Sequence, residues 1–505
     1  VLGGRAPLRL VLAIVAASTI VRVIAALSVG LVVDEAYTVG VTRQFQWSWF
    51  DHPPLAFWMV HAMQTLSSGE ASNLALRAPF IACMSLSILV LYDLTRRVHG
   101  ENAGVWAVLS FALAPFFLFA AGTWALPDGP LILALLCAVL ALYRVLFDDQ
   151  TRAGTWALWL AAGVAFGLSG MSKYQAAIVL FGALGYMLAT PHRRWFGHPA
   201  PWVAAGLGAL IVAPVFLWNA ANGFVSFLFQ GGRGAAGGGL RFDQLAIMIL
   251  GEAAYLLPWT AGGLVLGAIA GFKRPGADRF FLALALPVIV LFTLTPLWGD
   301  RGLPHWTMPG WLFLFPGLGA WLSAMALRGS PWPGRGVVAS LIVVGVVFAA
   351  GSLQASTGLL RSLGLQGQSD PTFETIEWRG LRQALEARGV LKAETFLVSP
   401  RWLEAGRIDH ALSGTRPVLV ADADPRGFAF LIDQRRLLGR DAIVVGSTRT
   451  MAGIEARLAP HFTALERLPP VPILRNGTVE FTLEIVAASG FRLAFPWPYG
   501  KKDGP

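Results

Sequence analysis

The chain has 505 residues, 55% of them hydrophobic and 13% charged, against roughly 25% charged in an average soluble domain. Charge this sparse does not cover the surface of a water-soluble protein of this length, which excludes an ordinary cytoplasmic enzyme, a disordered chain and a nucleic-acid binder. The net charge of +10 fits instead the Lys and Arg that gather on the cytoplasmic side of membrane proteins.

Taken in chain order, about eleven apolar stretches approach the length that crosses roughly 30 Å of hydrocarbon. They are 8–31, 74–95, 104–123, 129–147, 155–171, 175–190, 201–219, 245–271, 280–297, 306–327 and 336–353. The first is too long and apolar for a signal peptide, and no small-x-small cleavage site accompanies it. Cys83 and Cys137 lie inside apolar runs and read as packing residues, with no metal-binding cysteine spacing. With a cytoplasmic N-terminus, the inside connections carry Arg96, Arg97, Arg152, Arg193, Arg194, Lys273, Arg274, Arg279, Arg328 and Arg335. The short outside connections hold few basic residues, among them Lys173 and Arg301. This is the asymmetry of the positive-inside rule. An odd number of spans then places the loop 32–73 and the C-terminal segment outside.

About half of the charged residues follow residue 352, in under a third of the chain, a composition shift that marks a second domain. The expected organisation is a transmembrane domain over 1–353, with interfacial helices in the loop 32–73, and a water-exposed domain over 354–505. Runs at 395–399, 417–421 and 442–446 read as buried strands, and 381–388 and 453–458 as helices. The alternation predicts a small α/β domain.

The first outside loop is the most informative stretch. It opens with Val33-Asp34-Glu35-Ala36-Tyr37 and continues to Trp47-Ser48-Trp49-Phe50-Asp51-His52-Pro53-Pro54-Leu55. Adjacent carboxylates at a membrane boundary are functional candidates; the plainer alternative is that Asp34 and Glu35 cap a helix. His52 before two prolines is by itself a structural residue of an extended turn, and Trp47, Trp49, Phe50, Phe57 and Trp58 suit an interfacial helix. Pro127-Asp128-Gly129-Pro130 reads as a turn, but on the same side of the membrane as Asp34, Glu35, Asp51, His52, Lys173, Arg233, Asp300, Arg301 and His305. A carboxylate there suits a general base on a hydroxyl, and a cation suits a phosphate leaving group. Lys173 sits against the positive-inside bias, and Arg233 sits in a glycine-rich loop whose amides can approach an anion. Lipid-headgroup anchoring accounts for either equally well. Asn219, His305 and Trp306 add polar and stacking groups near the ends of later spans, Trp306 being also a natural interfacial belt residue.

Asp34-Glu35 after the first span, followed by Phe50-Asp51-His52-Pro53-Pro54-Leu55, resembles the first periplasmic loop of GT-C membrane glycosyltransferases. The pattern is similar to the bacterial relatives of protein O-mannosyltransferases and of the lipid A aminoarabinose transferase. The aminoarabinose enzymes tend to have Lys before the two prolines, where this chain has His52. Pro127-Asp128-Gly129-Pro130 resembles the family's second acidic motif. Ser172-Lys173-Tyr174, Trp218-Asn219 with Gly223-Phe224, Pro304-His305-Trp306 and Asp424-Pro425-Arg426-Gly427-Phe428 also resemble bacterial members. The resemblance implies a polytopic α-helical membrane protein of GT-C fold with a periplasmic C-terminal α/β domain, in a bacterial inner membrane. It implies inverting transfer of one sugar from a polyprenyl-phosphate-linked donor to a lipid A, glycolipid or polysaccharide acceptor. Asp34 would be the general base. Glu35 and Asp128 would orient a sugar or, with Asp34, hold a divalent metal cation, which some relatives bind and others do not. His52, Lys173, Arg233 and Arg301 would meet the donor phosphate, and Tyr37, Asp51, Asn219, His305 and Trp306 are substrate-binding candidates. Membrane lipids complete the partners, with apolar helices forming a groove for the polyprenyl tail.

Two other readings remain open at this point. One is the same chemistry on protein Ser or Thr. The other is a transporter or flippase, which tends to carry ionisable groups at the bilayer midplane and two similar halves; this sequence shows its ionisable groups in loops and no internal repeat.

Overall fold

A computed structural model describes residues 6–232, 239–299, 302–365 and 367–499. Among the described residues, eight helices are long and apolar enough to cross a membrane: Ala6–Ser28, Asn73–His99, Asp128–Phe147, Arg152–Ser172, Pro199–Ala221, Ala277–Leu297, Met308–Leu327 and Trp332–Thr357. A ninth candidate is broken: Phe242–Leu256 and Pro258–Phe272 meet at a 96° bend. Against the expectation of about eleven transmembrane helices, the described residues hold eight helices of that length and composition, or nine with the bent pair. The run 104–123 fails because its helix Glu101–Leu113 ends before Pro115, and a single π-helical segment, Phe116–Ala120, follows. Proline has no N–H for the preceding turn and crowds the carbonyl four residues back. The run 175–190 yields a 14-residue helix, Ala176–Ala189, too short to span the hydrocarbon upright. At the bend, Leu257 has φ +68 and Pro258 starts the second half, where a ring with fixed φ is tolerated.

The chain forms two compact units. The first comprises 1–25, 52–56 and 77–347; the second comprises 26–51, 57–76 and 348–505. The boundary placed at 353 from composition falls inside the Trp332–Thr357 helix.

In the first unit, helices pack closely through small residues, as membrane helices do without a hydrophobic drive between them. A side chain at Gly163 would run into the backbone of Ala204, so Arg152–Ser172 and Pro199–Ala221 meet backbone to backbone there. Thr151 starts the first of these helices by accepting the Gly154 N–H at 3.1 Å, an N-cap that satisfies one orphan donor. Aromatic rings fill the centre: Phe111 lies 4.4 Å from Phe117 and edge-on to Phe315 at 5.4 Å. The fully buried Arg22 takes up carbonyls of the π-helical segment, its Nε donating to Leu118 O at 3.3 Å and its Nη2 to Phe117 O at 3.5 Å, while Nη1 donates to Ser18 Oγ on its own helix at 3.2 Å.

The second unit holds two loop helices, Val33–Val41 and most of Leu55–Leu66, and a five-stranded mixed sheet. The strands are β1 (Phe396–Ser399), β2 (Val418–Val420), β3 (Ala442–Ser447), β4 (Phe462–Arg475) and β5 (Thr478–Phe491), in the order β2-β1-β3-β5-β4. β1 pairs in parallel with β2 and β3, and β5 pairs antiparallel with β3 and β4. β1 to β3 and the helices Leu381–Ala387 and Ile454–Leu458 match the expected runs. The long β4–β5 hairpin and the helix Trp402–Ala411 were not anticipated. The hairpin turns at Asn476-Gly477, both with positive φ, the pair that a two-residue turn between right-twisted strands favours. Its Arg475 is buried and bridges Asp370 at 2.6 Å and Glu480 at 2.9 Å. A side chain at Gly406 would run into the backbone of Ala36, so the Trp402–Ala411 helix lies directly against Val33–Val41.

Candidate active site

The candidate residues divide between the units. Asp34, Glu35, Tyr37 and Asp51 belong to the second, and His52, Asp128, Lys173, Asn219, His305 and Trp306 to the first. Arg233, Asp300 and Arg301 lie outside the described residues.

In the second unit the acidic pair opens the Val33–Val41 helix, where the exposed amide dipoles favour negative charge. Neighbours in sequence point apart on a helix, and here they part company. Glu35 is fully buried, and its Oε2 accepts the Val32 N–H at 3.1 Å, closing the helix start. Asp34 is exposed. Tyr37 and Asp51 enter a buried polar ring. The Tyr37 hydroxyl donates to Asp51 Oδ1 at 3.0 Å and accepts the Gly427 N–H at 3.0 Å. Arg426 Nη1 stands 4.0 Å from Asp51 Oδ2. Burial pushes the Asp51 carboxyl up to about 6, with Arg426 and the Tyr37 hydrogen bond pulling the other way. Burial likewise raises the Tyr37 phenol. Tyr37 and Asp51 are thus engaged with each other and with the segment around Arg426.

In the first unit Asp128 starts its helix, and Lys173 follows the last residue of Arg152–Ser172. Lys173 Nζ donates to Asp128 Oδ1 at 2.9 Å and to Oδ2 at 3.1 Å, with both residues buried. His305 and His52 stand near enough to act electrostatically on the Asp128 carboxylate. Four expected residues from distant parts of the sequence therefore come together at one end of this unit. The opposite end carries Arg97 with Asp93 at 2.8 Å and His99 with Asp278 at 3.0 Å. Asn219 does different work: its Oδ1 accepts the Ser226 N–H at 3.2 Å, and its backbone oxygen the Phe224 N–H at 2.7 Å, so it shapes a helix end. The Trp306 ring is buried edge-on to Phe292 at 5.8 Å.

An apolar cavity of about 530 Å³ lies between Arg152–Ser172, Ala176–Ala189 and Pro199–Ala221. It extends from Trp202 and Phe196 to Tyr174, the residue after Lys173, with Phe166, Phe216 and Phe227 along it.

Among the described residues no group of three or more His, Cys, Asp or Glu side chains is placed to hold a metal ion. Glu35, one of the three carboxylates considered for that role, is turned to its own helix start.

Sequence reasoning missed Glu252. It is the one carboxylate within the 245–271 run, which was the available signal. It is buried, accepts from Thr293 Oγ1 at 2.7 Å and from Trp311 Nε1 at 3.3 Å, and has Thr307 as a further hydrogen-bond partner. Arg426 stands in a segment that resembles the family but was given no role, and Tyr499 was missed, because nothing in the sequence links either to the first loop.

The family model described as dolichyl-phosphate-mannose-protein mannosyltransferase matches residues 51–218. The fold is similar to that of ArnT from Cupriavidus metallidurans in the apo state, with a TM-score of 0.65 and 17% identity, covering 94% of this chain and 97% of that one. The same protein bound to undecaprenyl phosphate gives a TM-score of 0.63 and 18% identity over the same shares. The arabinofuranosyltransferase AftD from Mycobacteria is similar at a TM-score of 0.52 and 18% identity, over 97% of this chain and 42% of that one. No curated protein sequence matches the chain. The resemblance read from the first loop agrees with these findings: residues 51–218 match a mannosyltransferase family model, and the fold is similar to that of ArnT.

Proposed function

We propose that the protein is an inverting glycosyltransferase that moves a sugar from a polyprenyl-phosphate donor to a lipid A, glycolipid or polysaccharide acceptor at the periplasmic face of a bacterial inner membrane. The observation that carries this reading is the Asp128–Lys173 pair, within electrostatic reach of His52 and His305 and one residue from Tyr174 in the lining of the apolar cavity. A polyprenyl phosphate has the same two-part chemistry, an anionic head on a tail confined to hydrocarbon. The bound undecaprenyl phosphate of the similar ArnT structure supports the same ligand class.

In this reading the tail lies in the apolar cavity, and Lys173 and His52 stabilise the phosphate as it leaves, a charge that grows in the transition state. Arg233 and Arg301 are proposed to share that task. Asp34, exposed and carboxylate-bearing, accepts the acceptor hydroxyl proton as its oxygen bonds to the anomeric carbon and the carbon–phosphate oxygen bond breaks. Asp128 orients a sugar hydroxyl while holding Lys173. Among the described residues no group of carboxylates and imidazoles is placed to hold a cation, and Glu35 is turned to its own helix start, so no step is routed through one.

Asp34→Asn in the purified full chain is expected to cut turnover by about 10²–10⁴, with undecaprenyl phosphate binding and unfolding temperature kept. Turnover close to wild type in that variant would remove Asp34 from the base role. The family match over 51–218 favours a second acceptor, protein Ser or Thr. Intact masses of periplasmic proteins from a deletion strain, set beside its lipid extract, separate the two acceptor classes.

A further inference from the structure

Within the second unit, four side chains close a ring. Tyr37 bonds Asp51, Asp51 faces Arg426, the Arg426 guanidinium lies 3.6 Å from the centre of the Trp402 ring, and Trp402 stands edge-on to Tyr37 at 5.4 Å. The backbone reinforces it. The Gly427 N–H donates to Tyr37, and a side chain at Gly427 would press on that hydroxyl at 2.6 Å. The Arg426 N–H donates to the Tyr499 hydroxyl at 2.6 Å, and that hydroxyl donates to Asp424 Oδ1 at 3.0 Å. The Tyr499 ring stacks 4.4 Å from Phe50, the residue before Asp51. Arg426 has φ +49, a conformation that glycine adopts freely and a branched-Cβ or long side chain does not. Keeping a side chain at such a position points to work for that side chain.

What the ring holds is the helix that presents Asp34. Residues three apart lie on one helix face, so Asp34 and Tyr37 move together, and Asp34 is near enough to act on the Asp51 carboxyl. We propose that Arg426 is a positioning residue for sugar transfer: seated on Trp402 and facing Asp51, with Gly427 on Tyr37, it sets the orientation of the Val33–Val41 helix and so of Asp34. This inference rests on the reading of Asp34 as the base. It gives the C-terminal Asp424-Pro425-Arg426-Gly427-Phe428 segment a part in the reaction without contact to substrate.

The test uses the full-length chain in micelles, with Arg426→Ala, Arg426→Lys and Tyr37→Phe. Hydrogen exchange is read separately for residues 32–51 and for β1 to β5. Transfer is assayed from undecaprenyl-phosphate sugars to a lipid extract, and binding with undecaprenyl phosphate alone. Arg426→Ala is expected to speed exchange in the Val33–Val41 helix and to lower kcat about a hundredfold, the scale of a 1 Å misplacement, with undecaprenyl phosphate affinity within about twofold of wild type. Arg426→Lys should recover part of both effects, since it returns the charge without the planar stack. Tyr37→Phe keeps the ring but not its hydroxyl, and should lower kcat with the sheet still protected; it carries the test if Arg426→Ala does not fold. Unchanged helix exchange, or faster exchange with wild-type kcat, overturns the proposal. Equal loss of sheet protection, donor binding and kcat in all three variants also overturns it, as a purely structural role. A wild-type protein that transfers no sugar would instead defeat the enzyme reading and leave the exchange result standing.

Discussion

Lys173 grips both carboxylate oxygens of Asp128, at 2.9 and 3.1 Å, with each residue 5% exposed. A buried pair of this kind gains little over an apolar pair of the same shape, but loses much when one partner is removed, because the other charge is then stranded. Lys173→Met is therefore expected to destabilise the protein by about 3–5 kcal/mol. Lys173→Met with Asp128→Asn should recover most of that stability and none of the transfer activity. Denaturant unfolding of the single and double variants, beside a transfer assay, measures both. If the double variant unfolds as easily as the single one, the pair is not coupled as described.

The acidic pair at the helix start predicts two different phenotypes from neighbouring residues. Glu35 accepts the half-buried Val32 N–H, and truncating it takes that acceptor away. Glu35→Ala should cost about 1–3 kcal/mol, and Glu35→Gln, which keeps an acceptor oxygen, much less. Asp34→Asn is expected to do the reverse, sparing stability and removing turnover. Unfolding temperatures and kcat for the three variants separate cap from base; a stability loss in Asp34→Asn matching Glu35→Ala would contradict the assignment.

What was legible in the sequence followed from periodicity and length, and what was not followed from tertiary pairing. Apolar runs located nearly every helix of the first unit, because a membrane segment must satisfy its backbone internally and so needs a long apolar stretch. Run length alone did not reveal that Pro115 and Leu257-Pro258 interrupt two of them. The β4–β5 hairpin was missed although Asn476-Gly477 is a strong turn signal, since prolines at 469, 470 and 472 argue against a strand unless it lies at an edge. β4 is that edge strand. At the site, residue types were readable and partners were not. Asp128 and Lys173 are 45 positions apart, and Tyr37 and Gly427 are 390 apart. Tyr37 and Asp51 stood out in the sequence as substrate contacts, whereas their visible partners are each other, Gly427 and Arg426.

Two buried carboxyls give the second unit a distinctive pH dependence. Burial pushes Asp51 up to about 6, and does the same to Asp409, which Arg43 partly offsets through a 2.8 Å ion pair. A raised carboxyl means that the folded protein holds a proton the unfolded chain has already released. Stability from these groups is present in full below the unfolded value near 4, falls as pH rises toward about 6, and is level above that. Asp51→Asn and Asp409→Asn should each flatten that fall, by an amount on the order of 1–3 kcal/mol. Denaturant unfolding of the wild type and both variants from pH 4.5 to 7.5 gives the difference directly. A wild-type protein that gains stability relative to the variants as pH rises through this window would reverse the sign and refute the account.

Five residues before the bend between Phe242–Leu256 and Pro258–Phe272 stands a carboxylate in an apolar run, Glu252, hydrogen-bonded by Thr293. Glu252 accepts from Thr293 and Trp311 and has Thr307 as a third partner, so one side chain ties the first half-helix to two later segments. In surroundings without water, a donor that loses its acceptor retains its full desolvation cost. Glu252→Leu strands these donors together, and should destabilise the protein by about 2–4 kcal/mol while raising hydrogen exchange across 242–272. Glu252→Gln keeps one acceptor oxygen for Thr293 or Trp311, and should lose about 1 kcal/mol with the exchange pattern largely preserved. The comparison isolates the hydrogen bonds from side-chain volume, since Leu and Gln both fill much of the space of Glu. Were the Leu variant to show wild-type exchange through the bend, Leu257 and Pro258 would be holding the angle on their own.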